Sequence, residues 1–323
     1  MKIKILLASV VSFAAMTSMS HAEKWDMALA YAATNFHSEM AAEFAKEVAE
    51  KTNGALEITT HPSGALFGGA EIFGAVRKGL VPMGERLISA LGNEDPIYEI
   101  DSIPFLATSY ADAMKLYKAS KPALEKTLAA ARTTLLYSCP WPPQGFYSIK
   151  EANVPDDVKG LKFRAYNPTT SKIAEFLGMA PTKIEAAELS QAFATGVAES
   201  MISSGSTGYD RKLWEHVGYY YDVKAWLPRN MVIVNTKAWD GLDDSVKAVV
   251  KEAAATAEAK CWAKSEELDS WYVEQFTEKG MKVAPASPEM QKAFEEAGVK
   301  LRDEWLERAG DAGAAVLKAY EGM

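Results

Sequence analysis

Apolar side chains recur every three or four positions in some stretches of the chain and crowd into short runs in others. The two patterns alternate from end to end, which predicts an α/β fold. From Ser38 to Thr52, Met40, Ala41, Phe44, Ala45 and Val48 share one helical face, with Glu43, Lys46, Glu47 and Glu50 opposite and Asn53-Gly54 as a C-terminal stop. Leu56 to Thr60 follows as a strand. Ala70 to Lys78 reads as a helix closed by Gly79, with short apolar pieces at Leu80–Met83 and Leu87–Leu91. Ser109–Leu116 and Pro122–Ala131 read as two helices, and Thr133–Cys139 as a buried strand. The theme then repeats: a strand at Leu161–Tyr166, helices at Ser171–Leu177 and Ala187–Thr195, a strand at Val197–Ile202 running into the hydroxyl-rich turn Ser203-Ser204-Gly205-Ser206-Thr207, and a strand at Met231–Asn235.

The longest element lies between Asp244 and Gly280, where no proline or glycine interrupts the chain. Val246, Val249, Val250, Ala253, Ala257, Cys261, Leu268, Trp271, Tyr272 and Phe276 recur there at mixed three and four spacing. At 1.5 Å per residue such a helix is roughly 54 Å long, more than one lobe is wide, so it must lean on two. A strand-like Met281–Val283 and an amphipathic helix from Ser287 to Ala309 complete the pattern.

Length agrees, because 323 residues exceed what one core usually serves and predict two lobes. With 48% hydrophobic residues and only 21 glycines and 14 prolines, fibres and disordered tails are excluded. Lys and Arg number 35 against 43 Asp and Glu, and no basic run occurs, so a nucleic-acid partner is excluded too. Lys2 and Lys4, the apolar run Ile5–Met16 and Ser20-His21-Ala22 before Glu23 match a secretory signal over residues 1–22. The run is about a dozen residues where a bilayer needs ~20, so the expectation is export to the periplasm without an anchor. In that oxidising compartment Cys139 and Cys261 are open to a disulfide or to life as two small buried side chains.

Catalytic chemistry is not advertised. Gly-x-Ser-x-Gly is absent, and Gly64, Gly68, Gly69 and Gly74 lack the spacing and the Lys-Ser/Thr partner of a phosphate loop. His37, His61 and His216 stand at no metal-ligand spacing and beside no cysteine in the sequence, so neither a zinc-type site nor a cofactor is expected. Asp156-Asp157 and Asp243-Asp244 read as caps or loop residues. The reading is a non-enzyme. The competing class, an exported hydrolase, needs a Ser or Asp nucleophile near His37 or His216. An extracytoplasmic sensor domain is a third class.

The positive signal is anion recognition. Arg164 sits in a strand where Lys162 and Tyr166 share its face, while Phe163 and Ala165 point to the core. A guanidinium on a rigid strand offers a planar fork that a carboxylate takes bidentately.

Gly160-Leu161-Lys162-Phe163-Arg164 is followed closely by Asn167-Pro168. Glu188-Leu189 leads to Thr195-Gly196-Val197. Val234-Asn235-Thr236-Lys237-Ala238-Trp239 precedes Leu242, and Ile103-Pro104-Phe105-Leu106 follows the Gly79 segment. On these elements the chain resembles the solute-binding proteins of tripartite ATP-independent periplasmic (TRAP) transporters across essentially its whole exported length. The resemblance implies a two-lobed periplasmic-binding-protein fold, type II-like, with crossing hinge strands and a long helix spanning both lobes. The expected division is residues 23–146 plus 231–272 in lobe 1 and 147–230 plus 273–323 in lobe 2. It also implies that Arg164 salt-bridges a substrate carboxylate and that the partners are a small organic acid and the membrane subunits of the transporter; the sequence leaves the oligomeric state open, a monomer being expected because a closing clamshell usually works alone. Two departures stand out. Ile202-Ser203-Ser204 replaces the Glu-Asn-Pro that many members carry, leaving Ser203 and Ser204 as shorter donors. Arg86 stands where a small or apolar residue is expected, and is either a second cleft cation favouring a dianion or an ion-pair partner of Glu85, Glu94 or Asp95.

The loops that could border the cleft carry Phe36, Trp141, Phe146, Tyr166 and Tyr209, whereas the candidate amide donors are only Asn35, Gln144, Asn167 and Asn230. Rings in excess of amides predict an aromatic acid, of the benzoate, hydroxybenzoate, mandelate or indole-acid type. An aliphatic dicarboxylate, a 2-keto acid or a sugar acid is the alternative, the first held at both ends by Arg86 and Arg164.

Overall fold

The computed structural model describes residues 22–323, so the export signal expected at 1–22 lies, except for Ala22, outside the described residues. Among the described residues no helix is long and apolar enough to cross a membrane. The strands in chain order are β1 (Glu23–Ala28), β2 (Leu56–His61), β3 (Met83–Leu87), β4 (Thr133–Pro140), β5 (Gln144–Ser148), β6 (Lys162–Ala165), β7 (Ala180–Lys183), β8 (Ser200–Ser204), β9 (Tyr219–Tyr221), β10 (Arg229–Asn235) and β11 (Lys282–Ala284). They form a five-stranded sheet of order β2-β1-β3-β10-β4 and a six-stranded sheet of order β11-β9-β5-β8-β6-β7. In the first, β10 runs antiparallel between β3 and β4; in the second, β5 runs antiparallel between β8 and β9. Each sheet is the centre of one lobe.

Two segments cross between the lobes. One joins β4 to β5 through Trp141, Pro142 and Pro143, and the other joins β9 to β10 through residues 222–228. They are hydrogen-bonded to each other: Trp141 N–H donates to the Pro228 carbonyl at 2.8 Å, Gln144 N–H to that of Trp226 at 2.9 Å, and Ala225 N–H to that of Gln144 at 3.0 Å. Because β5 lies wholly in the second sheet, the crossing falls before Gln144 and not after residue 146. Arg229, which opens β10, is buried beside Asp101, whose Oδ2 accepts from the Arg229 backbone N–H at 2.9 Å and lies 3.4 Å from its Nε. The Arg229 guanidinium also stands 4.5 Å from the Tyr117 ring centre.

The long helix spans Asp244–Glu278. Its first half lays Val250, Ala253, Ala254 and Ala257 against the first sheet's core, and its second half brings Phe276 into that of the second sheet. Small side chains let the helix approach the first sheet closely, and Cys261, midway along it, is disulfide-bonded to Cys139 at the end of β4 with a Cα–Cα distance of 5.6 Å. The final helix, Pro288–Glu321, is broken by the non-helical Gly310, at φ 54° and ψ −140°. Beyond the break, Val316 packs with Leu116, Tyr117 and Trp262, so residues assigned to lobe 2 from the sequence return to lobe 1. Helix Tyr110–Ala130 runs through Pro122, joining two elements that the sequence reading kept apart. A continuous buried stripe through Ala113, Leu116, Ser120, Leu124 and Leu128 outweighs the lost backbone donor.

Two consequences are measurable. The disulfide closes a loop of well over a hundred residues, so reducing it, or replacing Cys139 and Cys261 by serine, should cost about 2–4 kcal/mol of stability in chemical denaturation; equal midpoints with and without dithiothreitol would contradict this. Burial lifts the Asp101 carboxyl to about 6 against the pull of Arg229, from 3.8 unperturbed. The folded protein therefore holds a proton there that the unfolded chain has released, and this share of stability is lost as pH rises from about 4 through 6. Asp101→Asn should remove that slope, so the stability gap between wild type and variant should change over this window; a constant gap would contradict the assignment.

Candidate functional site

Between the sheets and against the crossing segments lies a small cavity of about 40 Å³. Lobe 1 contributes Tyr31, Arg86, Leu87 and Ala90. The second sheet and its loops contribute Arg164, Tyr166, Glu185, Ala186, Ser203, Ser204 and Thr207, and Trp141, Gln144 and Pro228 come from the crossing region.

Arg164 projects from β6, which pairs with β7 and β8 on either side. Phe163 and Ala165 point into the core, as the alternation of the strand requires. The Arg164 Nε donates to the Ile184 carbonyl at 2.9 Å, and its guanidinium carbon stands 5.0 Å from the Tyr166 ring centre. Among the described residues no carboxylate lies within salt-bridge distance of it, and its terminal nitrogens have no protein hydrogen-bond partner. Burial lowers this guanidinium to about 10, which leaves it cationic at neutral pH. Anchored at one nitrogen and across one face, it presents its remaining N–H groups to the cavity.

The polar wall beside it is internally satisfied. Tyr166 O–H donates to Gln144 Oε1 at 3.0 Å and accepts from Trp226 Nε1 at 3.2 Å, while Gln144 Nε2 donates to the Pro142 carbonyl at 2.9 Å. The network fixes the side chains at the crossing segments and at β6 in one arrangement. The Ser204 hydroxyl accepts from Thr207 N–H at 3.2 Å and so starts helix Gly205–Asp210; Ser203, in register with Gly145, keeps its hydroxyl without a protein partner among the described residues. Opposite, Trp141 donates its indole N–H to Asn230 Oδ1 at 2.8 Å, and Tyr31 meets it edge-on at 4.8 Å.

Polar contacts made by three side chains, Arg86, Asn35 and Asn167, close the cleft. Arg86 pairs bidentately with Glu185, Nη1 to Oε2 at 3.2 Å and Nη2 to Oε1 at 3.1 Å. Asn35 Nδ2 donates to Asp210 Oδ2 at 2.6 Å and to Ser206 Oγ at 3.3 Å, and Asn167 Nδ2 donates to Ser89 Oγ at 3.0 Å. Burial lifts Asp210 to about 6. Burial acts upward on Glu185 too, but the charge and hydrogen bonds of Arg86 outweigh it and hold that carboxyl below its ordinary value.

Seven of the residues picked from the sequence therefore line one cavity: Arg164, Arg86, Trp141, Gln144, Tyr166, Ser203 and Ser204. Six do not. Phe36 opens helix Phe36–Lys51 and packs behind Trp141, 5.8 Å from it edge-on. Phe146 is held in the core against Tyr221 and Phe294, and Tyr209 among Trp214, Trp271 and Tyr272. The Asn35 and Asn167 side chains cap helices and bridge the lobes, and Asn230 is occupied with the indole. Arg86 is indeed ion-paired, but with Glu185 of the facing lobe and not with Glu85, Glu94 or Asp95. Glu85 points away, to His37 Nδ1 at 3.1 Å, where burial outweighs that bond and lowers the imidazole pKa. Tyr31 and Glu185 went unnoticed in the sequence, and Thr207 was read only as part of the hydroxyl-rich turn. Folding also brings His37 next to Cys139 and Cys261, with potential ligand atoms within 4.8 Å of one another, although both sulfurs are spent in the disulfide.

A sequence profile for the family described as bacterial extracellular solute-binding protein, family 7 (DctP), matches residues 28–308. The fold superimposes with a TM-score of 0.92 on a marine-metagenome TRAP solute-binding protein described as specific for pyroglutamate, 52% identical, covering 94% of this chain and 99% of that one. DctP6 of Bordetella pertussis, an extracytoplasmic solute receptor described as binding pyroglutamic acid, is 45% identical at a TM-score of 0.91, covering 93% of this chain and 100% of that one. The C4-dicarboxylate-binding periplasmic protein DctP of Rhodobacter capsulatus is 29% identical over 290 residues, 85% of this chain and 84% of that protein.

Proposed function

We propose that this chain, which belongs to bacterial extracellular solute-binding protein family 7, the solute-binding proteins of TRAP transporters, captures pyroglutamate in the periplasm. Proteins of this family bind small organic acids and deliver them to membrane TRAP components; the cargo, the contact residues and the export signal are the parts proposed here for this chain. One observation carries the reading. Arg164 is a buried guanidinium braced by a carbonyl and a ring face, with its terminal nitrogens turned to a small cavity and no protein acid within reach. Such a group is matched by one carboxylate, with charge-assisted hydrogen bonds.

The rest of the lining suits a compact ring with polar edges. Tyr31, Trp141 and Tyr166 supply flat walls, and Ser203 and Thr207 bring hydroxyls to the same cavity. A lactam ring needs both kinds of surface, because its faces are apolar while its N–H and C=O want partners. A benzoate-type acid would use the walls but leave the hydroxyls unanswered, and a sugar acid would need more free amides than this lining offers. The two pyroglutamate-binding relatives, at 52% and 45% identity over nearly the whole chain, support the same choice. The aromatic acids expected from the ring count give way to it.

The mechanism follows from the geometry. Arg164 belongs to one lobe and Tyr31 to the other, so a bound acid touches both and favours the closed arrangement. Closure removes water from the guanidinium–carboxylate pair and strengthens it. The interlobe contacts then complete the shape that a membrane partner can distinguish. Binding and release are the whole of the proposed activity, with no bond made or broken.

Thermal denaturation with a panel of acids tests this. At a hundredfold excess over its dissociation constant, L-pyroglutamate should add about 2.7 kcal/mol of stability, while benzoate, mandelate and glucuronate should leave the midpoint unmoved. Arg164→Lys should weaken binding at least tenfold and Arg164→Ala should abolish the shift. A shift from benzoate and none from pyroglutamate would overturn the cargo, and an unchanged shift in Arg164→Ala would overturn the grip.

A further inference from the structure

We propose that Glu185 restricts the cleft to monoanions by occupying Arg86. This rests on the reading of the cavity as a carboxylate site gripped by Arg164. Three charged residues line the cavity, Arg86, Arg164 and Glu185. Two guanidiniums alone would make a site for a diacid, one carboxylate on each. Glu185 cancels one of them. It takes both terminal nitrogens of Arg86 end-on, in a geometry a ligand carboxylate could use, and leaves the lining with a net charge of +1.

The pair is built into the closed cleft. Arg86 comes from β3 of the first sheet and Glu185 from the loop after β7 of the second, so the bridge forms only when the lobes meet. The Arg86 side chain is 4% exposed and that of Glu185 32%. Gly69 lies directly over them: a β-carbon there would stand 3.0 Å from Arg86 Nη1 and 3.2 Å from Glu185 Oε2. A side chain there would press on both atoms of the bidentate contact, which the glycine leaves uncrowded. A second carboxylate entering the cavity would have to displace Glu185 from Arg86 or lie beside it, and in a site with little water either carries a large electrostatic penalty. A neutral amide or lactam carbonyl at the same place meets no such repulsion.

The filter can be read with two open-chain acids of nearly the same shape, glutarate and its half-amide glutaramate, which differ by one negative charge. Affinities for both, measured by calorimetry on ligand-free protein, give a preference that does not depend on how tightly either binds. Wild type should favour glutaramate by tenfold or more. Glu185→Gln, which keeps the size but frees the Arg86 charge, should move the preference toward glutarate by at least tenfold. Arg86→Gln, which leaves Glu185 uncovered, should move it the other way. Thermal denaturation of each variant establishes that it is folded, and each reads the proposal independently of the other. An unchanged preference in a folded variant, including a parallel loss of both affinities, would reduce the pair to a closing contact and overturn the filter. So would a wild type that takes both acids equally. Failure of pyroglutamate to bind wild type would instead overturn the cargo reading, while a charge preference that still shifts in the variants would uphold the filter.

Discussion

A guanidinium withdrawn from water must find compensation, and the arrangement of this protein follows from how Arg164 finds only part of it. One nitrogen is bonded to the Ile184 carbonyl and one face lies over Tyr166, while the terminal nitrogens remain for a guest. The surrounding groups are prevented from supplying the missing anion. Glu185 is drawn off by Arg86, and Gln144 spends its amide on Tyr166 and Pro142. The site thus holds one unmet positive charge, fixed on a strand between two neighbouring strands, and this is the grip proposed for the acid.

In the proposed mechanism the crossing segments turn that local deficit into a closing of the lobes. They are short, bonded to each other, and flanked by the buried Arg229–Asp101 pair and by the disulfide that fastens the long helix beside the end of β4. These contacts brace the segments on both sides, and the proposed closing would turn about them. The polar contacts between the lobes, at Glu185, Asp210, Ser206 and Ser89, are few and dispersed.

Much of the architecture was legible in the sequence because it rests on periodicity. The helices at 36–51 and 244–278 and the strands at 56–61, 133–140, 162–165 and 229–235 carry clear patterns, and glycines mark several ends. Strands β5, β7 and β9 did not, since they are only three to five residues long and β5 is buried on both faces, which erases alternation. Arg164 was readable as a strand-borne cation flanked by inward-facing Phe163 and Ala165. The fate of Arg86 was not, because its partner stands 99 positions away and meets it only through the closing of the lobes. Rings were over-counted for a similar reason: Phe36, Phe146 and Tyr209 lie near the cleft in the chain, yet their area is spent holding the lobes themselves together. Tyr31, in a loop with no periodicity, gave no signal at all.

The most direct test is a crystal structure of the protein with L-pyroglutamate bound. The carboxylate should lie end-on to the terminal nitrogens of Arg164, each oxygen within hydrogen-bond distance, with the lactam ring between Tyr31 and Trp141 on one side and Ser203 on the other, and with Arg86 still on Glu185. A carboxylate seated on Arg86, or a ligand that leaves the Arg164 terminal nitrogens facing water, would contradict the proposed grip.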